Sequence, residues 1–189
     1  MKEGFTEVEV KLKRSPLLPI TTLPTNLSIS FSSVAPSMQS NSSGSSGIPQ
    51  QLSPEMEQKI LYGERRPANS DRIVGAHSPK IKTSPDFIFA SVTNNPDGTT
   101  TAFDLIKRFP DGTFSRKKRR STFAPDSWSD EKIIDATKQV ASTVAVNTNT
   151  QGATLHRQTV DGVEWEVIKD FLGNVISSYP TGGIPTTNF

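Results

Sequence analysis

The tight-turn sequences of this chain constrain its fold more than any other feature. Asn95-Pro96-Asp97-Gly98 and Pro110-Asp111-Gly112 lie in the middle of the chain, and Asp161-Gly162 and Leu172-Gly173-Asn174 lie near its end. Turns of this chemistry join neighbouring antiparallel strands. Since segments of strand pattern flank each turn, we predict two antiparallel meanders of three strands. The predicted strands cover residues 87–93, 99–109 and 113–122 in the first meander, and residues 154–160, 163–170 and 175–179 in the second.

Helix-start signals precede each meander. Ser53-Pro54 places a capping hydroxyl before a proline at the first helical position, which predicts a helix over residues 55–62 that Gly63 ends. Ser127 and Asp130 have the spacing of a capping box, and the apolar residues behind them predict a helix over residues 129–142. The order of elements predicts an α+β domain built on two antiparallel sheets with flanking helices.

Composition separates the start of the chain from this domain. Residues 28–51 consist largely of Ser, Asn, Gly and Pro, which is typical of a flexible linker. Residues 6–13 alternate like a short strand that the following prolines interrupt. We therefore expect residues 1–51 to form a flexible segment and residues 52–189 to form the domain. Because no apolar run reaches about 18 residues, we expect no stable membrane insertion.

A basic run lies inside the first predicted meander. Residues 116–120 are all cations, and Ser121 and Thr122 follow directly, although the net charge of the whole chain is only +2. A charge run is commonly a solvated surface, but this one lies in a patterned hairpin, where it forms a focused site for phosphate groups. Residues four apart in a strand share a face, so Lys117 would point with Ser121 and Lys118 with Thr122.

The histidines and the absent motifs limit the chemistry that this chain can perform. Histidine occurs only at His77 and His156, and neither has a partner at metal-ligand spacing. Cysteine, phosphate-binding glycine loops and the G-x-S-x-G motif are absent, so we expect neither metal nor cofactor. An imidazole beside a lysine and hydroxyls can cleave RNA through its own 2′-hydroxyl. The alternatives are a structural loop role for His77 and simple strand-end packing for Tyr179.

Several motifs in order resemble one known family. They are KILYGE at residues 59–64, VGAH at 74–77, KKRRSTFAPDSWSDEKII at 117–134, DGV at 161–163 and SYPT at 178–181. Between about residues 52 and 181 the chain is similar to the bacterial EndoU nuclease domain. Domains of this kind are toxins of contact-dependent inhibition and other polymorphic toxin systems, and they are similar to the coronavirus uridylate-specific endoribonuclease.

The resemblance implies site residues by motif. His77 matches a family histidine, and Lys117 or Lys118 matches the family lysine. Ser121 or Thr122, together with Tyr179, match residues that line the nucleotide pocket.

The chain departs from the family at its other histidine. Lys59 stands at that position, and a lysine with an ordinary pKa near 10.4 is a poor base. Lys59 would then act only by its charge, or His156 would replace the missing imidazole. Arg116, Arg119 and Arg120 are expected to hold the RNA backbone.

The resemblance also implies a function and partners. It predicts a metal-independent endoribonuclease toxin, acting on tRNA or another structured RNA and leaving a 2′,3′-cyclic phosphate. Such a toxin would be secreted or delivered into the cytoplasm of a target cell, and a cognate immunity protein would cover its positive cleft. The alternatives are an RNA-binding module that has lost catalysis, favoured by Lys59, and a structural domain whose basic run binds an acidic partner.

Overall fold

The computed structural model describes residues 51–68, 70–117 and 120–189. The strand expected over residues 6–13 lies outside the described residues, and so does the expected linker up to residue 50. Lys118 and Arg119 of the basic run also lie outside them.

The first helix, α1, spans Pro54–Tyr62, as its capping residues predict. The Ser53 hydroxyl accepts a hydrogen bond from the Met56 amide at 3.2 Å. Gly63 follows the helix with a φ of 72°, a conformation that glycine adopts without steric cost.

The second helix, α2, spans Asp130–Ala141. Its cap is Ser129, whose hydroxyl accepts from the Lys132 amide at 3.2 Å. The capping box predicted from Ser127 is therefore wrong. The Asp130 carboxylate instead accepts three side-chain hydrogen bonds. They come from Tyr62 at the end of α1, and from Ser78 and Lys80 further along the chain.

The middle of the chain forms short strands. They are β1 (Glu64–Arg65), β2 (Ile73–Val74), β3 (Phe87–Ile88), β4 (Ser91–Asn94), β5 (Thr100–Phe103), β6 (Leu105–Arg108), β7 (Phe114–Lys117) and β8 (Ser121–Phe123), with a 3₁₀-helix at Pro79–Thr83. β1 pairs with β2, and the others form two separate three-stranded antiparallel sheets, in the orders β3-β6-β7 and β4-β5-β8. The single meander predicted here is wrong. Asp104, with a φ of 53°, separates β5 from β6 where one continuous strand was expected.

The last part of the chain forms a four-stranded antiparallel sheet in the order β12-β11-β10-β9. Its strands are β9 (Ala145–Thr148), β10 (Thr154–Val160), β11 (Val163–Lys169) and β12 (Val175–Pro180). The three predicted strands are present. Strand β9 was not predicted, because its Ala-Val-Asn-Thr residues lack a clear apolar alternation.

Two apolar cores hold the helices and sheets together. The first lies between the two helices and one face of the four-stranded sheet, where Trp128 stacks on Trp165 with ring centroids 5.6 Å apart. The second packs the turn around Ala76 against β5, β6 and β8, with Phe123 and Leu105 fully buried. The α+β class is confirmed, with more sheets than predicted. Within the described residues, no helix is both long enough and apolar enough to span a bilayer.

Candidate active site

A cleft of about 670 Å³ opens beside the second core. It is bounded by β2 and the turn after it, by β7 and β8, and by β12 and the segment that follows. The lining residues are Asp71, Arg72, Ile73, Val74, Gly75, His77, Arg116, Lys117, Arg120, Thr122, Ser177, Tyr179, Pro180, Thr181, Ile184 and Thr186.

The charges of the cleft are mostly positive. Arg72, Arg116, Lys117 and Arg120 line it, and Asp71 is the only acidic residue among the lining residues described. Arg116 also forms an ion pair with a carboxylate outside the cleft, at Asp104. Cations gathered in a concave surface focus the electrostatic potential and attract anions such as phosphate.

Backbone hydrogen bonds hold His77 from both sides. The amides of Ala76 and His77 donate to the carbonyl oxygens of Lys59 and Ile60, at 3.1 and 2.9 Å, near the end of α1. The His77 carbonyl accepts from the Ala124 amide at 2.9 Å, directly after β8. The imidazole is therefore carried by a turn that is tied to two elements of the fold.

The His77 ring is arranged as a hydrogen-bond acceptor. Its Nδ1 lies 2.7 Å from the Thr122 carbonyl oxygen, which can only accept, so Nδ1 carries the proton and Nε2 is left with a lone pair. Burial, followed by the charge of Lys117, lowers the pKa of His77 to about 3. The ring is consequently neutral at physiological pH. The Tyr179 ring lies beside it, with centroids 6.0 Å apart.

Lys117 is held at the same turn. Its ammonium donates to the Gly75 carbonyl at 2.9 Å and to the Ser121 hydroxyl at 3.2 Å. Ser121 is buried, and its hydroxyl donates to the Ala76 carbonyl at 3.0 Å. Burial, helped by the charge of Arg72, lowers the pKa of Lys117 to about 8. Ser121 thus contacts Lys117, but the two residues lie in different strands, β8 and β7, and not on one face of the single strand that was predicted. Ser121 positions the ammonium and does not line the cleft.

Tyr179 and the C-terminal segment form the far wall. The Tyr179 hydroxyl lies 3.0 Å from the Thr186 hydroxyl, and burial raises the pKa of Tyr179 to about 12. Thr186 is held by the fully buried Glu166, which accepts from the Thr186 amide at 2.9 Å and from its hydroxyl at 2.7 Å. Arg157 completes this network by donating to Glu166 at 2.5 and 2.8 Å.

His156 does not reach the cleft. It lies directly opposite Val167, which lies opposite Ser178, so these side chains share one face of the sheet. That face packs on α2, whereas Tyr179 and Glu166 point to the other face. Both His156 ring nitrogens are within hydrogen-bond distance of protein oxygens, Nδ1 at 2.8 Å and Nε2 at 3.0 Å, in Thr143 and Thr154.

Lys59 contacts the turn that carries His77, through its carbonyl oxygen and the Ala76 amide. It is not among the residues that line the cleft. Its ammonium donates to the Ile176 carbonyl at 2.8 Å and forms an ion pair with Glu64 at 3.5 Å. Its side chain is nearly fully buried, and burial lowers its pKa. Lys59 therefore connects α1 to β12.

The cleft brings together six of the candidate residues named from sequence, namely His77, Arg116, Lys117, Arg120, Thr122 and Tyr179. Four further lining residues, Arg72, Ser177, Ile184 and Thr186, were not predicted from the sequence. Ser177 lies two residues before Tyr179 in the predicted strand, so the alternation of side chains along a strand could have indicated it. No pattern marks Thr186, because a buried partner on a distant strand holds it. Among the described residues, no three His, Cys, Asp or Glu side chains converge as metal ligands.

Gly75 is expected to tolerate no side chain. Its φ is 79°, and an added Cβ would lie 1.9 Å from the Lys59 carbonyl oxygen. We expect Gly75→Ala to lower the free energy of unfolding by more than the roughly 1–2 kcal/mol that backbone strain alone costs, because the clash adds to the strain. We also expect it to displace His77. Gly162→Ala is the matched control, because Gly162 has a φ of 84° with open space around it. Urea unfolding of both variants separates clash from strain. Equal losses would show that Gly75 is not sterically confined.

Comparison with known proteins gives one family. The family model described as bacterial EndoU nuclease matches residues 53–182, which is more than half of the chain. No curated protein matches the chain significantly, and no solved structure does. The matched range includes every cleft residue up to Thr181 and ends before Ile184 and Thr186.

Proposed function

Because the chain belongs to the bacterial EndoU nuclease family and is therefore an RNA endonuclease, we propose that His77 and Lys117 cleave RNA through its own 2′-hydroxyl. The observation that carries the proposal is their arrangement. The His77 imidazole is neutral, and its Nδ1 donates a hydrogen bond to the Thr122 carbonyl. The Lys117 ammonium is held at the same turn, and both residues line a cleft that also contains arginines.

His77 acts as the general base in this proposal. Nε2 accepts the proton of the 2′-hydroxyl while the 2′-oxygen attacks the neighbouring phosphorus. The hydrogen bond from Nδ1 to Thr122 fixes the tautomer in which Nε2 is free to accept. The low pKa makes the imidazole a weak base, but it keeps His77 unprotonated at every physiological pH.

Lys117 stabilises the charge that develops on the phosphorane oxygens. The ammonium is held by neutral acceptors, Gly75 and Ser121, so its charge is not cancelled by a carboxylate. In this proposal Arg72 and Arg120, which also line the cleft, bind the flanking phosphates of the RNA strand. The product is a 2′,3′-cyclic phosphate and a free 5′-hydroxyl.

The wider biological proposal is a toxin delivered into a target cell, with tRNA or another structured RNA as substrate. The positive cleft supports the further proposal that an acidic immunity protein covers it. Charge complementarity of this kind speeds association and selects the partner.

The rival function is RNA binding without cleavage. It is favoured by Lys59, which occupies the position of a family histidine and whose ammonium is tied to Ile176. His156 does not compensate, because it lies on the other face of the sheet.

The direct test incubates the purified protein with total tRNA in the presence of EDTA. We expect cleavage in which each upstream fragment ends in a 2′,3′-cyclic phosphate and each downstream fragment begins with a new 5′-hydroxyl that a kinase can label. Retention of intact RNA by the protein in a filter-binding assay would instead support the binding module. Cleavage that requires added divalent metal would contradict the proposed mechanism.

A further inference from the structure

Transesterification of RNA moves two protons, and the cleft supplies one evident base. The leaving 5′-oxygen must gain a proton as its bond to phosphorus breaks, because an alkoxide is a poor leaving group. His77 is the one imidazole that lines the cleft in the described part of the chain. His156 lies on the opposite face of the sheet, and the Lys59 ammonium is tied to Ile176 and Glu64.

The Lys117 ammonium has a proton available for this step. An ammonium carries three protons. Gly75 and Ser121 accept hydrogen bonds from two of them, and no acceptor for the third is present within the described residues. Lys117 also lines the cleft together with His77. The ammonium is thus oriented by the protein through two protons, with one left for a ligand.

We propose that Lys117 is the general acid of this enzyme and donates a proton from Nζ to the leaving 5′-oxygen. The inference rests on the proposed function, because it concerns the second half of the same reaction. It assigns to Lys117 the proton transfer for which Lys59 and His156 are not placed.

The balance of the step is simple. The 2′-oxygen forms a bond to phosphorus and gives its proton to His77 Nε2. The bond from phosphorus to the 5′-oxygen breaks, and that oxygen takes a proton from Lys117 Nζ. The enzyme is left with a protonated His77 and a neutral Lys117, and exchange with solvent restores both groups.

Electrostatic coupling favours moving the two protons together. The charge of Lys117 lowers the pKa of His77, so a protonated His77 beside an ammonium is unfavourable. When Lys117 gives up its proton as His77 gains one, the summed charge of the pair stays constant. The other charged groups at the cleft are Arg72, Arg116 and Arg120, which favour loss of the Lys117 proton, and Asp71, which opposes it.

The pH dependence follows from the two pKa values. The active enzyme has His77 neutral, which holds above its pKa of about 3, and Lys117 protonated, which holds below its pKa of about 8. We expect kcat/KM to be flat between about pH 5 and 7 and to fall as the pH rises through about 8. A profile that rises with an apparent pKa near 6 or 7 would require another base and would overturn the proposed pairing.

The decisive experiment uses a substrate whose leaving group needs no proton. It is an oligoribonucleotide with sulfur in place of the bridging 5′-oxygen, because a thiol is a far stronger acid than an alcohol and leaves as a thiolate without a proton. On the oxygen substrate, we expect Lys117→Met to lower kcat/KM by about 10² to 10⁴-fold. On the sulfur substrate, we expect the part of that loss that comes from proton donation to disappear, while the part that comes from the missing positive charge remains. Recovery of activity shows in itself that the variant is folded.

His77→Gln is the matched comparison. Its loss should be similar on both substrates, because sulfur in the leaving group does not replace a base. Lys117→Arg keeps the charge but cannot deprotonate, so it should also be impaired only on the oxygen substrate. Equal losses of the Lys117 variants on both substrates would overturn the inference and leave the proposed function intact. No cleavage of either substrate by the wild-type enzyme would overturn the proposed function itself.

Discussion

Replacement of His77 by alanine is expected to lower the rate of RNA cleavage by about 10² to 10⁴-fold, the range typical of a lost general base. The expectation rests on the geometry of the ring. Its Nδ1 is 2.7 Å from the Thr122 carbonyl, and Nε2 is left to accept a proton in a cleft that also holds Lys117. Single-turnover cleavage of a labelled RNA, at saturating enzyme, measures the chemical step. RNA binding should change little, because His77 is neutral and contributes no charge.

His156→Gln provides the control for this experiment. It removes the other histidine of the chain, which lies on the α2 face of the sheet and not at the cleft. We expect His156→Gln to retain cleavage within a few-fold of wild type under conditions where it remains folded. A large loss of single-turnover rate in a folded His156→Gln, or wild-type rates in His77→Ala, would contradict the assignment of the base.

Replacement of Glu166 by alanine should lower the free energy of unfolding by about 3–5 kcal/mol, the usual cost of removing one partner of a buried ion pair. The Glu166 side chain is fully buried, and it accepts from Arg157 and Thr186. Its loss leaves the partly buried Arg157 guanidinium without its carboxylate, and a charge left without its partner at such a site is destabilising. It also frees Thr186, which holds the hydroxyl of Tyr179. We therefore expect both stability and cleavage to fall.

Equilibrium unfolding in urea measures the first effect, and Glu164→Ala is its control. Glu164 lies on the same strand and points to the same face, two residues earlier, but it is partly exposed. Its replacement should cost less than about 1 kcal/mol, as is usual for a surface site. Glu166→Gln keeps the volume and should fall between wild type and Glu166→Ala. Equal stabilities of Glu164→Ala and Glu166→Ala would show that the buried network does not support the fold.

Local chemistry explains which elements could be predicted. Helix α1 at Pro54–Tyr62 begins and ends where its caps predict, because a cap acts within one turn of chain. Helix α2 at Asp130–Ala141 lies where its apolar residues predict, although Ser129 and not Ser127 caps it. The turns at residues 161–162 and 172–174 likewise lie between paired strands. The break at Asp104 was not predictable, because its left-handed conformation separates two sheets and leaves no mark in a periodic pattern. Strand β9 was missed since pairing with β10, and not its own composition, defines it.

The site shows the same division. The sequence by itself determined that the chain is α+β, and it predicted His77, Tyr179 and the basic run as site residues and Lys59 as a departure from the family pattern. Only the tertiary structure decided that Lys117 meets His77, that Ser121 turns inward to position Lys117, and that His156 faces away. Only the tertiary structure, too, brought in Arg72 and Thr186. The physical reason is the sequence distance over which the interactions act. Caps, turns and charge runs depend on residues that are neighbours in sequence, whereas the cleft forms where strands that are distant in sequence lie side by side.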